Sequence, residues 1–305
     1  MALNPIVETI ADGMQQAFGE SMTARSVDEL RTMTAGMIPV SAIEVGSVFD
    51  STVSTPARQV PIRVYRPTAT AKSTGVLMWI HGGGFVLGGL AMGDDLSRRL
   101  CEALGVAVVN LDYALAPEHP FPAGVDDCLA VYEWIRSGPA ELQGFDRSRI
   151  AVAGDSAGGN LAMVLSMRCR DEARTPPVCQ VSVYGTAECV VTNPELGDLI
   201  FLTAADAEWF WEAYTSDHEN PYVSPARAPS VAGLPPLFVV TAEHDPTRDG
   251  SERYGNRVTE SGGVARVRRY PGVHHGFFGL VDVLDEARDA FGDVVAFITE
   301  QMRTS

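Results

Sequence analysis

The stretch "RIAVAGDSAGGNLAMVLSMRCR", residues 149–170, decides the fold. It begins as a short apolar run, ends in the composition of a helix, and carries Gly154-Asp155-Ser156-Ala157-Gly158 between the two. A brief apolar run bounded by glycine reads as a strand buried on both faces. Small residues at the junction let the chain double back from strand into helix, leaving the one hydroxyl at the apex, Ser156, exposed. A serine so placed is a candidate nucleophile.

The same alternation extends in both directions. "GVLMWI", "VAVVNLD", "RIAVAG", "VCQVSVY", "PLFVVTA" and "ARVRRY" are short apolar runs from residue 75 onward. Helices are predicted between and after them at about 92–104, 124–137, 157–170, 247–261 and 283–302. Strands covered on both faces and joined by helical crossovers make a parallel sheet. Upstream, Ile6, Ile10, Met14 and Phe18 recur every fourth position as one face of a helix, and a second helix is predicted from Val27 to Thr34. "IEVGSVFD" and "VPIRVY" alternate as strands do, with Ser51 to Pro56 as turn material between them, and predict an antiparallel edge pair. The class is α/β, with about eight strands in a mostly parallel sheet flanked by helices.

One interval breaks the rhythm. Roughly fifty residues separate "VCQVSVY" from "PLFVVTA", far more than a crossover helix needs. This insertion holds Phe201, Trp209, Phe210, Trp211, Tyr214 and Tyr222. Those aromatics either form a small core of their own or line an apolar pocket.

A serine hydroxyl is a weak nucleophile at neutral pH and needs a base, which in turn needs an orienting carboxylate. Asp245 follows the "PLFVVTA" run and His275 follows the next one, so strand ends supply both. Glu243, Asp249 and His274 are their neighbours and rivals. Acyl transfer also develops an oxyanion, for which each preset backbone N–H is worth about 3 kcal/mol. Gly82, Gly83 and Gly84 at the end of "GVLMWI", with the N–H of Ala157 after the serine, can supply such donors. The glycines lack the GxGxxG spacing of a dinucleotide loop.

Composition removes other classes. A formal net charge of −16 repels polyanions, so no nucleic-acid partner is expected. Lys72 is the only lysine, which leaves no Walker A sequence and argues against a pyridoxal-phosphate lysine. Five scattered cysteines without CxxC, and six histidines without HExxH, give no disulfide framework and no metal site. No cofactor is expected. The N-terminus shows neither a basic region nor a continuous apolar run, and no stretch reaches 18 apolar residues, so the expectation is a cytoplasmic chain without a membrane span.

Taken together, "HGGGF", "DYALAPEHPFPA", "GDSAGGN", "LPPLFVVTAEHDPTRD" and "YPGVHHGFF" resemble, in order, the bacterial hormone-sensitive lipase-like family of α/β-hydrolase esterases. The resemblance runs from about residue 60 to 300. It implies an α/β-hydrolase fold with a helical cap. The expected division is N-terminal cap helices over 1–45, a catalytic domain over 46–186 and 234–305, and a cap insertion over 187–233. It implies Ser156 as nucleophile, Asp245 as acid, His275 as base, and Gly83, Gly84 and Ala157 as oxyanion donors. Phe85, Asp155, Leu202 and Trp209 are the candidate pocket residues. His81 is read as a structural hydrogen-bonding residue.

Three positions depart from the family's usual pattern: Ala114 where arginine is common, Thr247 where leucine is common, and "YGTAEC" where "YP" is common. None is expected to touch the Ser156, Asp245, His275 set. The implied activity is carboxylic ester hydrolysis through an acyl-enzyme, on small-molecule esters of short to medium acyl chains. A homodimer through an edge strand is a family expectation. A non-catalytic small-molecule binder of the same fold, and an amide or lactone hydrolase with the same residues, are the alternatives. Only a neutral imidazole can accept the serine proton, so activity should rise with pH as the base loses its proton.

Overall fold

The computed structural model describes residues 3–18, 22–69, 75–191 and 202–304. Phe201, Lys72 and part of the predicted insertion lie outside the described residues. Eight strands occur among these residues: β1 (Ser47–Ser54), β2 (Gln59–Arg66), β3 (Val76–Ile80), β4 (Ala107–Leu111), β5 (Ile150–Asp155), β6 (Cys179–Val183), β7 (Leu237–His244) and β8 (Ala265–His274). They form one sheet in the order β1-β2-β4-β3-β5-β6-β7-β8. β1 and β2, and β2 and β4, pair antiparallel, and every other pair is parallel. This is the α/β-hydrolase architecture the sequence predicts.

Eight helices occur among the described residues: α1 (Pro5–Phe18), α2 (Val27–Met37), α3 (Asp94–Leu104), α4 (Ala123–Ser137), α5 (Ala157–Asp171), α6 (Ala204–Tyr214), α7 (Arg248–Glu260) and α8 (Asp285–Thr304). Alternate residues of each central strand explain the sandwich. Leu77 and Trp79 of β3 pack with Leu100 of α3 and Phe297 of α8 on one face. Val76, Met78 and Ile80 pack with Val131 of α4 and Leu161 of α5 on the other. Both faces are dry, so all five residues of β3 are buried. That is why the strand reads as a continuous apolar run rather than an alternation.

Two local expectations are corrected. The predicted turn from Ser51 to Pro56 is shorter, because Ser51 to Ser54 continue β1 in register with Ile62 to Gln59. The ladder is made by backbone groups, so polar side chains on an exposed edge do not end it. Thr55 closes the turn instead, with its N–H donating to the Arg58 carbonyl at 2.9 Å. On α1, Val7 and Ala11 are buried, whereas Ile6 of the predicted apolar face is 44% exposed. Asn4 sets that rotation by donating its backbone N–H to the Gly272 carbonyl of β8. Within the insertion, where a helical cap is expected, α6 starts at a capping box formed by Thr203 and Asp206.

Among the described residues no helix is long and apolar enough to cross a membrane, and no group of three or more metal-ligating side chains converges. All five cysteines are free and buried.

Candidate active site

The candidate residues lie at the carboxyl ends of the parallel strands, where crevices open in such sheets. Ser156 follows β5 directly, with φ 52° and ψ −121°. A side chain in that region costs about 1–3 kcal/mol and persists only where its surroundings hold it. Here the Ser156 N–H donates to the Val183 carbonyl at 2.9 Å, and its own carbonyl accepts from Asn160 N–H at 3.1 Å. Glycine is required at the turn. A Cβ on Gly158 would come within 1.9 Å of the Ile80 carbonyl oxygen, so α5 could not approach β3.

Asp245 follows β7 and His275 follows β8, and the structure brings both to the serine. The Ser156 hydroxyl donates to His275 Nε2 at 2.8 Å, and His275 Nδ1–H donates to Asp245 Oδ2 at 2.8 Å. This tautomer is the one that satisfies both bonds. The rivals are occupied elsewhere: Glu243 accepts from Gly272 N–H at 2.8 Å, Asp249 pairs with Arg248 at 2.7 Å, and His274 Nδ1 bonds the His275 carbonyl. Burial pushes the His274 pKa below its ordinary value.

Asp245 is fully buried. Burial acts to raise its pKa, but the neighbouring His275 and hydrogen bonds from His275 and Thr247 outweigh it and hold the carboxyl below the usual range. Thr247 is therefore a correction. It was expected to lie clear of this set, yet both its backbone N–H and its hydroxyl donate to Asp245 Oδ1 at 2.8 Å. Leucine at that position could not supply the hydroxyl.

The glycine loop after β3 divides by function. Gly82 N–H donates to Asp155 Oδ1 at 3.0 Å and is thereby engaged. Gly83 (φ 107°) and Gly84 (φ 60°) hold left-handed backbone, which leaves their N–H groups as the candidate donors together with that of Ala157. Ala157 opens α5, and first-turn amides have no intrahelical partner. His81 is buried; its Nδ1–H donates to the Gly82 carbonyl at 2.7 Å, and its ring stacks on Tyr113 with centroids 4.5 Å apart. Burial lowers its pKa to about 4, so it stays neutral near pH 7.

The pocket candidates separate. Phe85 is buried with its ring stacked on Tyr214 at 3.9 Å. Leu202 and Trp209 are partly buried at the rim of the same apolar cluster. Asp155 braces the glycine loop through Gly82, and burial raises its pKa to about 6 against the lowering effects of the Gly82 N–H and His275. A carboxyl raised above its ordinary 3.8 binds more protons folded than unfolded between those two values. Stability then falls as pH climbs through that window, by up to about 3 kcal/mol at pH 8. Asp155→Asn keeps the acceptor for Gly82 and removes the charge. Its Tm should exceed wild type at pH 8 and converge on it at pH 4; a gap that widens at pH 4 would contradict this sign.

Three contacts escape sequence reading because they join distant segments. Arg31 of α2 donates to the Val86 carbonyl and the Ala116 carbonyl at 3.0 Å each and grips Glu118 with two nitrogens, bracing the glycine loop from outside. Tyr184, at a positive φ of 36°, sets its ring 4.8 Å from the His275 ring. Arg58 and Ala114 N–H both donate to Asp127, so the β1–β2 turn supplies a guanidinium near Ala114, where the family commonly has arginine.

Residues 77–279 match the family described as alpha/beta hydrolase fold. The chain is 36% identical over 299 residues to carboxylesterase NlhH of Mycobacterium tuberculosis, covering 94% of this chain and 89% of that protein. It is 29% identical to an ethyl acetate hydrolase of Pseudomonas putida, covering 99% of this chain and all of that one. Among solved structures it is similar to a hyperthermophilic esterase from the archaeon Pyrobaculum calidifontis, with a TM-score of 0.92, 35% identity, and coverage of 98% of this chain and 99% of the other.

Proposed function

We propose that this chain, which belongs to the hormone-sensitive lipase-like family of α/β-hydrolase esterases, is a serine carboxylesterase working through an acyl-enzyme on Ser156. The observation that carries the roles is the continuous chain of bonds from the Ser156 hydroxyl through His275 to Asp245, 2.8 Å at each step. His275 takes the serine proton during attack on the ester carbonyl and returns it to the leaving alcohol. It then takes a proton from the water that attacks the acyl-enzyme and returns it to the Ser156 oxygen as the acyl bond breaks. Asp245 holds the imidazole in the productive tautomer and offsets its positive charge. Gly83, Gly84 and Ala157 N–H groups receive the oxyanion of each tetrahedral intermediate.

The substrate class is small-molecule esters of short to medium acyl chains, in keeping with the ethyl acetate hydrolase among its relatives. Residues 1–45 and 187–233 act as the cap. Support for that grouping comes from Met22 N–H, which donates to Asp206 of α6 at 3.0 Å and so ties the two segments. Five free, buried cysteines favour a reducing compartment, the cytoplasm. β8 ends the sheet, and a second copy would add there to make a homodimer.

The test is a stopped-flow assay with p-nitrophenyl butyrate and the matched p-nitroanilide, together with mass spectrometry of the quenched protein. Ester turnover and an added butyryl mass on the peptide bearing Ser156 are expected. Faster turnover of the anilide, or ester turnover with no acyl adduct under conditions where deacylation limits, would overturn the reading.

A further inference from the structure

Among the described residues the insertion meets the candidate oxyanion loop at Phe85 and, through Phe210, at Gly84. A Cβ built on Gly84 would come within 2.3 Å of Phe210 Cδ1 and 2.4 Å of Cγ, so the Phe210 ring rests on the Gly84 α-carbon itself. Trp209, the residue the sequence singled out, stands one step back, edge-on to Phe210 at 5.1 Å. Phe210 has no freedom to swing aside. It is 7% exposed, and its neighbours on α6 are fixed: Trp211 packs on Phe85 at 5.1 Å and Tyr214 stacks on the same ring at 3.9 Å. The start of α6 is held by its capping box and by the Met22 bond to Asp206.

We infer that Phe210 is a specificity-determining residue, a rigid wall beside the reacting carbonyl that selects esters unbranched at the acyl α-carbon. This rests on the reading of Gly84 as an oxyanion donor. A carbonyl whose oxygen accepts from Gly84 N–H has its carbon about 4 Å from that nitrogen, beside the α-carbon that the Phe210 ring covers. Substituents on the acyl α-carbon lie one bond closer to the carbonyl carbon than substituents on the alcohol carbon, so the wall meets them first. Close-packed interiors do not yield to such groups at little cost. Linear acyl chains extend past the ring, and chain length is governed elsewhere.

The experiment compares kcat/KM for p-nitrophenyl butyrate, 2-methylpropanoate and 2,2-dimethylpropanoate in wild type, Phe210→Leu and Phe210→Ala, with propyl and isopropyl acetates as the alcohol-side series. Opening the wall should raise the ratio of branched to linear acyl esters about tenfold or more in Phe210→Ala. A smaller rise is expected in Phe210→Leu, which keeps most of the packing if the alanine variant folds poorly. Ratios within twofold of wild type in folded variants, or a shift confined to the alcohol series, would overturn the inference. Wild type inert on every ester would instead overturn the esterase reading beneath it.

Discussion

Ser156→Ala is expected to lower kcat about a million-fold while leaving the fold intact, the scale of loss when a serine nucleophile that acts as a unit with its base is removed. Alanine keeps a Cβ at the strained φ of 52°, so the backbone bonds of Ser156 to Val183 and Asn160 survive. The substitution deletes one hydroxyl and its bond to His275 and nothing else. Residual turnover should still exceed the uncatalysed rate by about a thousandfold or more, because the glycine-loop donors and substrate binding remain. The measurement is initial-rate kinetics on p-nitrophenyl acetate alongside a thermal melt. Retention of more than about 1% of kcat with an unchanged melt would assign the chemistry to another group.

What the sequence made legible shares one property: it is local. Ser156 sits in a strand, glycine turn and helix contiguous along the chain, and Asp245 and His275 each follow a recognisable apolar run. Parallel strands deliver their carboxyl ends to one edge of the sheet, so three strand-end residues converge without any contact having been read. The oxyanion loop was legible in the same way, although the division of labour between Gly82 and its two neighbours needed Asp155 in three dimensions. Thr247 was misjudged because substitution of a leucine by threonine looks like a packing change, while its consequence is a pair of hydrogen bonds made back to Asp245. The role of Arg31, and the choice of Phe210 among the insertion's aromatics, were out of reach for a different reason. Each residue acts on the glycine loop from a segment whose docking no local pattern specifies, one from α2 and one from α6. Apolar periodicity says that a face is buried and not against what, and on α1 it chose a face adjacent to the buried one.

Asp245→Asn should cost about four orders of magnitude in kcat, with stability and KM close to wild type, for a reason written in the bonds of Thr247. Two donors from Thr247 converge on Asp245 Oδ1, so the carboxamide oxygen must remain on that side to receive them. The amide nitrogen is then turned toward His275 Nδ1, where wild type presents an accepting Oδ2. An NH2 facing an N–H is repulsive, and the imidazole answers by moving its proton to Nε2. Nε2 is the atom that must accept from Ser156 at 2.8 Å, so the base is blocked by tautomer while every heavy atom keeps its place. Thr247→Val supplies the contrast. It removes one of the two donors, leaves the carboxylate, and should lower kcat by about tenfold or less, the worth of a single hydrogen bond. The pair of variants separates orientation from charge. If Asp245→Asn fell no further than Thr247→Val, Asp245 would be a packing residue, and the acid would have to be sought among its neighbours Glu243 and Asp249.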